Sequence, residues 1–395
     1  VDLAVLREQI ESLDKELLQC LAKRRALALD VAKDKASRGG TVRDTGREAE
    51  LLIRLMEMGQ DMGLDPAYLT RLYQIIIEDS VLTQHAWLQQ GNEQGTLAIA
   101  HLGMPGSYSH LTAQSYAHRR NCTFEGYTCD TFQAVISAVE DGRTTLGVLP
   151  IENTSSGSIN DVYDLLRHTH LHIIGESYLV VDHHLLVKPG TALDDIHVIY
   201  AHPQALTQCS SFLSRLNNVT LVPEASSAHA MRQVAEDNNP HSAAIGPQSG
   251  GALYELVALA HNMANQAENH TRFIVVSRDP LRVPNQLPAK TSLIMATHNQ
   301  AGSLVDALMV LRSHGISMTK LESRPMPGNP WEELFYVDVL VNNHAPEWLS
   351  AEKELAAMTR FIKVLGCYPD ERIKATNAPQ PLADSVQNSE QTNAF

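Results

Sequence analysis

The sequence predicts a chain of three parts: an all-α unit, an α/β unit of two lobes, and a small α+β unit. Three observations carry this. Apolar residues recur at helical spacing through roughly the first 90 positions. Beyond a short polar stretch, short β-branched runs alternate with helical segments. After a loop with three prolines, the order becomes strand, helix, strand, strand, helix, strand. At 395 residues the chain is also too long for one ordinary core, since domains cluster at about 100–150 residues.

The helical unit is expected over residues 1–90. Leu3, Leu6, Ile10, Leu13, Leu17, Cys20, Arg24, Leu27 and Val31 follow a 3-4 spacing, which gives one long helix with a coiled-coil-like seam. Gly39-Gly40 ends it. A second helix is expected from Glu48 to Met58, and Asp65-Pro66 starts a third that reaches Gln89. Three helices of such unequal length do not enclose a globular core, so this unit is expected to dimerise.

Gln89 to Gly95 is a polar, glycine-containing linker. Strands are then expected at Thr96–His101, Leu146–Pro150, His197–Tyr200, Val219–Val222, Ser242–Ile245 and Phe273–Val276, with helices between several of them. That alternation reads as parallel α/β layers in two lobes over residues 96–280. The third unit, residues 290–370, reads as a ferredoxin-like βαββαβ fold: Ser292–Thr297, helix Gly302–His314, Ser317–Ser323, Glu333–Val341, helix Glu347–Lys363 and a last short strand. Residues 376–395, rich in Asn, Gln, Ser and Pro, are expected to form a disordered tail.

Composition narrows the function. Apolar residues make up 44%, enough for sizeable cores, and the formal charge of −14 argues against a nucleic-acid binder. No apolar run approaches the ~20 residues of a membrane span. The start, Val1-Asp2-Leu3, reads as neither a signal nor a transit peptide. Five scattered cysteines without a Cys-x-x-Cys suggest reduced thiols in the cytoplasm. His168, His170 and His172 would share one face if they lay on a strand, but no partner ligands accompany them. They and His183-His184 read as surface histidines, and no metal is expected.

The cations of the first helix are its chemical signal. Arg24 interrupts the apolar seam, where an unpaired charge is costly. Lys35, eleven residues on, returns to nearly the same face about 16 Å along the axis. Arg7 points roughly 80–100° away, toward a different pocket, naturally a partner's. Ser80 and Gln84 share one face of the third helix. Cations aimed into a bundle suit a small dianion. A pericyclic rearrangement needs only that the reactive conformer be held and charge offered to the breaking ether bond.

Leu6-Arg7, Asp14, Ala22-Lys23-Arg24-Arg25, Lys35, Val42-Arg43-Asp44, Arg47-Glu48 and Glu78-Asp79-Ser80-Val81-Leu82-Thr83-Gln84 resemble the all-helical chorismate mutases. The resemblance implies an intertwined dimer. In it Arg24 and the partner's Arg7 bind two carboxylates, Lys35 and Gln84 meet the ether oxygen, Arg47 and Ser80 assist, and Asp44 and Glu48 meet the ring hydroxyl.

In the two-lobe unit, polar clusters stand at strand ends: Gly103-Met104-Pro105-Gly106-Ser107, Pro150 to Ser158 with Glu152, Asn153, Thr154 and Ser155, Ala201-His202-Pro203-Gln204, and Thr271-Arg272-Phe273. Together with Tyr254, Leu256, Leu259 and Asn265 they resemble prephenate dehydratase, although that family usually has Gly-Pro-x-Gly-Ser in the first loop and here the proline is displaced by one position. The resemblance implies a bilobal fold of the periplasmic-binding-protein type, with prephenate in the cleft and Thr271 at the reacting hydroxyl. Glu152 is the candidate proton relay. Asn153, Thr154, Ser155, Gln204 and Arg272 are candidate binding residues.

In the third unit, Gln300 to Val305 and Leu321 to Pro325 resemble the ACT domains of phenylalanine-regulated dehydratases. By that resemblance, L-phenylalanine meets Gly302, Ser303, Leu304, Glu322, Ser323 and Arg324 at an interface between subunits and inhibits the enzyme. The whole resembles the bifunctional mutase–dehydratase family, with chorismate and prephenate as substrates, no cofactor, and a homodimer or higher homo-oligomer.

Overall fold

The computed structural model describes residues 3–38, 45–90, 95–216, 218–237, 239–266, 268–284, 287–298, 300–326 and 333–371. Asp44 and the expected tail, 376–395, lie outside these residues. The chain divides into two compact units, one drawn from Val1–Leu88 and the other spanning Gln89–Arg372. Among the described residues no helix is long and apolar enough to cross a membrane.

The first unit is three helices, α1 (Leu3–Arg38), α2 (Thr45–Asp61) and α3 (Pro66–Gln90). Pro66 suits the first turn because its missing N–H needs no partner there, and the Asp65 carboxylate accepts the Tyr68 N–H at 2.7 Å. Leu52, Ile77 and Val81 form a small core where α2 meets α3. The α1 seam finds no such cover: Leu3, Ile10, Leu13, Leu17 and Leu27 are each more than half exposed within the chain.

The second unit opens with β1 (Thr96–Leu102), α4 (Tyr108–Arg119), β2 (Thr123–Cys129), α5 (Phe132–Glu140), β3 (Leu146–Asn153), β4 (Gly157–Ser158), α6 (Asn160–His168) and β5 (His172–Val180). The chain then builds a second lobe from β6 (His184–Val187), β7 (Val198–Ala201), α7 (Pro203–Gln208), α8 (Ser210–Leu213), β8 (Thr220–Pro223), α9 (Ser227–Glu236), β9 (Ser242–Gly246), α10 (Gln248–Ala252) and β10 (Val257–Ala260). It returns to the first lobe as β11 (His270–Ser277). The sheets run β2-β1-β3-β11-β5, with β4 beside β3, and β10-β6-β9-β7-β8.

These sheets are mixed, not the parallel layers expected. β1 is parallel to β2 and β3, whereas β11 is antiparallel to both of its neighbours. β11 enters from the other lobe, which places it against β3 in the reverse sense. The central strands are buried on both faces, as Val148, Leu149, Ile274 and Val275 show. Two chain crossings join the lobes, and they run side by side: Val181 N–H donates to Asn269 O at 2.7 Å, and Met263 N–H to His183 O at 2.9 Å.

The remaining elements are β12 (Ala289–Thr297), α11 (Ser303–Ser313), β13 (Ser317–Pro325), β14 (Glu333–Leu340), α12 (Pro346–Met358) and β15 (Thr359–Pro369), with sheet order β13-β14-β12-β15. The final helix stops at Met358, five residues short of the expected end. Thr359, Phe361, Ile362 and Val364 are β-branched or aromatic, and this stretch pairs with β12 instead. Trp348, fully buried, packs with Leu293, Val337 and Leu355 between helices and sheet. β15 lies close to β5: a Cβ on Gly366 would stand 2.1 Å from the Ile173 carbonyl oxygen. Tyr336 stacks edge-on against Tyr163 of α6 at 4.8 Å and donates to its carbonyl.

Candidate functional site

A cleft of about 330 Å³ lies between the two lobes. Into it come the first turns of three helices. Ser107 caps α4 through the His110 N–H, His202 caps α7 through the Gln204 N–H, and Ser226 caps α9 through the His229 N–H. The starts of α4 and α9 offer backbone N–H groups and the positive end of a dipole, the arrangement that binds anions, whereas the short α7 opens with Pro203, which has no N–H. Gly103 and Ser107 of the first loop and His202 and Gln204, all marked in the sequence, line this cleft; Ser226 and Ser227 do so unannounced. The displaced proline serves the lobe contact, since the Pro105 carbonyl accepts from the Tyr254 hydroxyl at 2.6 Å. Beside it, Gly106 has φ +87° and backs onto Gly250, whose carbonyl would lie 3.3 Å from any Cβ at 106.

Thr271 sits in the cleft at the start of β11, paired with Asn153 of β3. The Asn153 Oδ1 accepts the Ser155 and Ser156 N–H groups, both at 2.9 Å, so its amide nitrogen is fixed as the donor to Thr271 Oγ1 at 2.9 Å. Thr271 thus accepts from Asn153 and keeps its own proton for something in the cleft. The network continues: Asn153 donates to Asn269 Oδ1 at 2.7 Å, Asn269 to Gln208 Oε1 at 3.1 Å, and Gln208 meets His183 Nε2 at 2.7 Å. Thr154 braces the loop from outside, accepting the His270 N–H. Gln204 lines the cleft; Thr154 and Ser155 are not among its walls.

Arg272 and Glu152 are not brought to the cleft, which corrects the roles expected of them. Side chains alternate across a strand, so the residue after Thr271 and the residue before Asn153 face the other way. There Arg272 pairs with Glu152 at 3.0 Å, Glu176 at 2.9 Å and Asp338 at 2.7 Å, and donates to the Tyr368 hydroxyl. Lys290 joins Glu176 at 2.6 Å, and Lys320 joins Glu152. Burial alone raises the Glu152 carboxyl, but Arg272 and Lys320 outweigh it and hold it below the usual range. An ionised, doubly paired carboxylate is no proton relay.

The histidines also depart from expectation. His183 and His184 are buried, not on the surface. Burial lowers both, and His202 and His110 with them. His101, behind the first loop, is pushed down to about 4 by burial and by His110 beside it. His168 ends α6, His172 begins β5 and His170 lies in the turn between, so the three do not share a strand face. Gln208 and His183 were missed as cleft residues. Gln208 carried a signal, since it stands one turn after Gln204 on the same helix.

In the helical unit, Arg24 donates to Ser80 Oγ at 2.5 Å and to the Ile76 carbonyl at 3.3 Å. Gln84, one turn beyond Ser80, is buried and its Oε1 has no hydrogen-bond partner among the described residues. Lys35 and Glu48 are half-buried, Arg47 exposed. Arg7 is exposed and lies seventeen residues before Arg24 on α1, hence about 25 Å away along the axis. One chain therefore brings Arg24, Ser80 and Gln84 together and leaves Arg7 apart.

The two effector segments lie on different elements. Gly302, with φ +90°, caps α11 ahead of Ser303 and Leu304. Glu322, Ser323 and Arg324 lie on the edge strand β13, where Glu322 accepts from Ser158 of β4 at 2.7 Å and Arg324 pairs with Asp164 of α6 at 3.0 Å.

Comparison with known proteins agrees with this division. The family model described as chorismate mutase type II matches residues 6–85, and that described as prephenate dehydratase matches residues 99–281. A bifunctional chorismate mutase/prephenate dehydratase of Escherichia coli (strain K12) is 50% identical over 374 residues, covering 94% of this chain and 97% of that protein. Among solved structures, the prephenate dehydratase of Arthrobacter aurescens in complex with L-Phe matches with a TM-score of 0.63 and 25% identity, over 70% of this chain and 90% of that one. GqqA, described as a novel type of quorum quenching acylase, matches with a TM-score of 0.62 and 34% identity, over 69% of this chain and 97% of that one.

Proposed function

Because this chain belongs to the bifunctional chorismate mutase/prephenate dehydratase family, we propose that it converts chorismate to prephenate in its helical unit and prephenate to phenylpyruvate in its cleft. The observation that carries the second step is the Thr271 hydroxyl, fixed as an acceptor from Asn153 among three helix starts. The helix ends hold the carboxylates, with Gln204 beside them. Thr271 donates to the leaving hydroxyl as carbon dioxide departs, and Asn153 keeps it aimed. The step consumes one proton: prephenate dianion plus a proton gives phenylpyruvate anion, carbon dioxide and water.

In the mutase, Arg24 and Ser80 take a carboxylate, and Lys35 and Gln84 stabilise the ether oxygen. Gln84, buried one turn beyond Ser80, would donate to that oxygen through its Nε2. Arg47 assists in carboxylate binding, Asp44 and Glu48 meet the ring hydroxyl, and Arg7 is supplied by a second copy. The uncovered α1 seam supports such a dimer.

The assigned domains are mutase 1–90, dehydratase 96–280 and regulatory unit 290–370. The βαββαβ order and the strand arrangement support a ferredoxin-like ACT domain. The L-Phe complex of the Arthrobacter dehydratase supports phenylalanine as inhibitor, held by Gly302, Ser303 and Leu304 with Glu322, Ser323 and Arg324. The Glu322–Ser158 bond joins that strand to the one flanking Asn153. Cytoplasmic residence fits the free cysteines.

The test is chorismate fed to the purified chain without cofactor, with phenylpyruvate followed by absorbance. No phenylpyruvate sinks the reading. Lys35→Ala should abolish the mutase step and leave added prephenate dehydrated; joint loss in a folded protein refutes separate sites.

A further inference from the structure

Prephenate carries two carboxylates, yet among the described residues lining the cleft there is neither lysine nor arginine. The lining groups that can become cationic are His183 and His202. Their hydrogen bonds separate them. His202 Nδ1 accepts the Gln204 N–H at 3.3 Å, so a proton there would replace an acceptor by a donor and break the cap of α7.

His183 is under no such constraint. Ser155 and Ser156 N–H groups are obligate donors, which orients Asn153; Asn153 orients Asn269, and Asn269 orients Gln208 with its oxygen toward His183. His183 Nε2 must therefore carry the proton in that bond. Its Nδ1 faces the Tyr108 hydroxyl oxygen at 3.2 Å, and that hydroxyl already donates to the Asp182 carbonyl at 2.9 Å. A second proton on His183 would find the Tyr108 oxygen as acceptor and break nothing.

We propose that His183 takes up a proton when the dicarboxylate binds and is the side chain that supplies the cleft's positive charge. This rests on the dehydratase reading. The groups facing His183 are Tyr108 from α4, Asp182 and His184 on its own segment, and Gln208 at the end of α7; Cys209 acts on Tyr108, and His261 meets His184 edge-on. Burial holds the ring's pKa below its ordinary value, with the Gln208 hydrogen bond and Asp182 opposing, and the incoming carboxylates tip that balance.

The experiment titrates full-length Thr271→Ala with prephenate by calorimetry at pH 8, in two buffers of different ionisation enthalpy. Uptake approaching one proton is expected. Adding His183→Gln, which keeps a donor for Gln208, should abolish uptake, while His202→Gln should retain it. In otherwise unaltered enzyme, kcat/KM for prephenate should fall by about tenfold per pH unit on the alkaline side. His183→Gln should flatten that limb and raise KM roughly 10- to 100-fold, of the order of one charge-assisted interaction, as the positive charge beside the carboxylates is lost. Equal uptake with and without His183, or an unchanged alkaline limb, overturns the proposal. If His183→Gln does not fold, Tyr108→Phe removes the acceptor and should move the limb to lower pH; an unmoved limb overturns it. A chain that leaves prephenate untouched sinks both readings, whereas normal turnover without His183-linked uptake sinks this one alone.

Discussion

Replacing Arg272 by methionine separates an anchor from a substrate ligand. The Arg272 side chain is 4% exposed and is shared by Glu152, Glu176 and Asp338. Removing one partner of a buried ion pair costs about 3–5 kcal/mol, because charge is left uncompensated. Here each carboxylate retains a second partner: Glu176 keeps Lys290, Glu152 keeps Lys320, and Asp338 keeps the Ser292 hydroxyl. The loss therefore belongs at the low end, about 3 kcal/mol. For a unit of this size that lowers Tm by about 6–12 °C. Differential scanning calorimetry of the full chain measures it, alongside KM for prephenate. A KM raised tenfold or more, with a transition within about 2 °C of the parent, would show that Arg272 binds substrate and that the strand-face argument is wrong.

Thr271→Val keeps the shape and removes the hydroxyl, so kcat for prephenate should fall by about 10²- to 10⁴-fold while the mutase rate holds; an unaffected kcat would exclude the hydroxyl from the step. His101, lowered to about 4 from 6.5, makes stability depend on pH. The unfolded chain takes a proton near 6.5 and the folded one only near 4, so stability should drop by about 3 kcal/mol as pH falls through that window and level off below it. Urea midpoints for the parent and His101→Gln that run parallel between those limits would contradict this. Gly106→Ala places a Cβ 3.1 Å from Tyr254 Cε2 at a positive φ, a strain of about 1–3 kcal/mol; prephenate KM should rise, and unchanged KM and Tm would mean that the lobes do not depend on this contact.

Much of this was legible in the sequence because hydrophobic period survives without a structure. The α1 seam, β3, β9 and the βαββαβ order all follow from it. β2 escaped because it is an edge strand with most residues exposed, which leaves no apolar signature. The Met358 boundary escaped because Thr359 to Lys363 suits either state until β12 decides it. Thr271 and Arg272 were grouped by adjacency, although strand alternation divides them between two faces. His183 gave no local sign of burial; its partners come from α4 and α7, seventy-five residues before it and twenty-five after.

The three helix starts in the cleft belong to different lobes, α4 to one and α7 and α9 to the other. Like-signed ends that face each other across a gap repel while it is empty. A doubly negative guest reverses that sign and becomes the adhesive between the lobes. Salt screens both the repulsion and the attraction, so raising it should weaken substrate binding in the cleft.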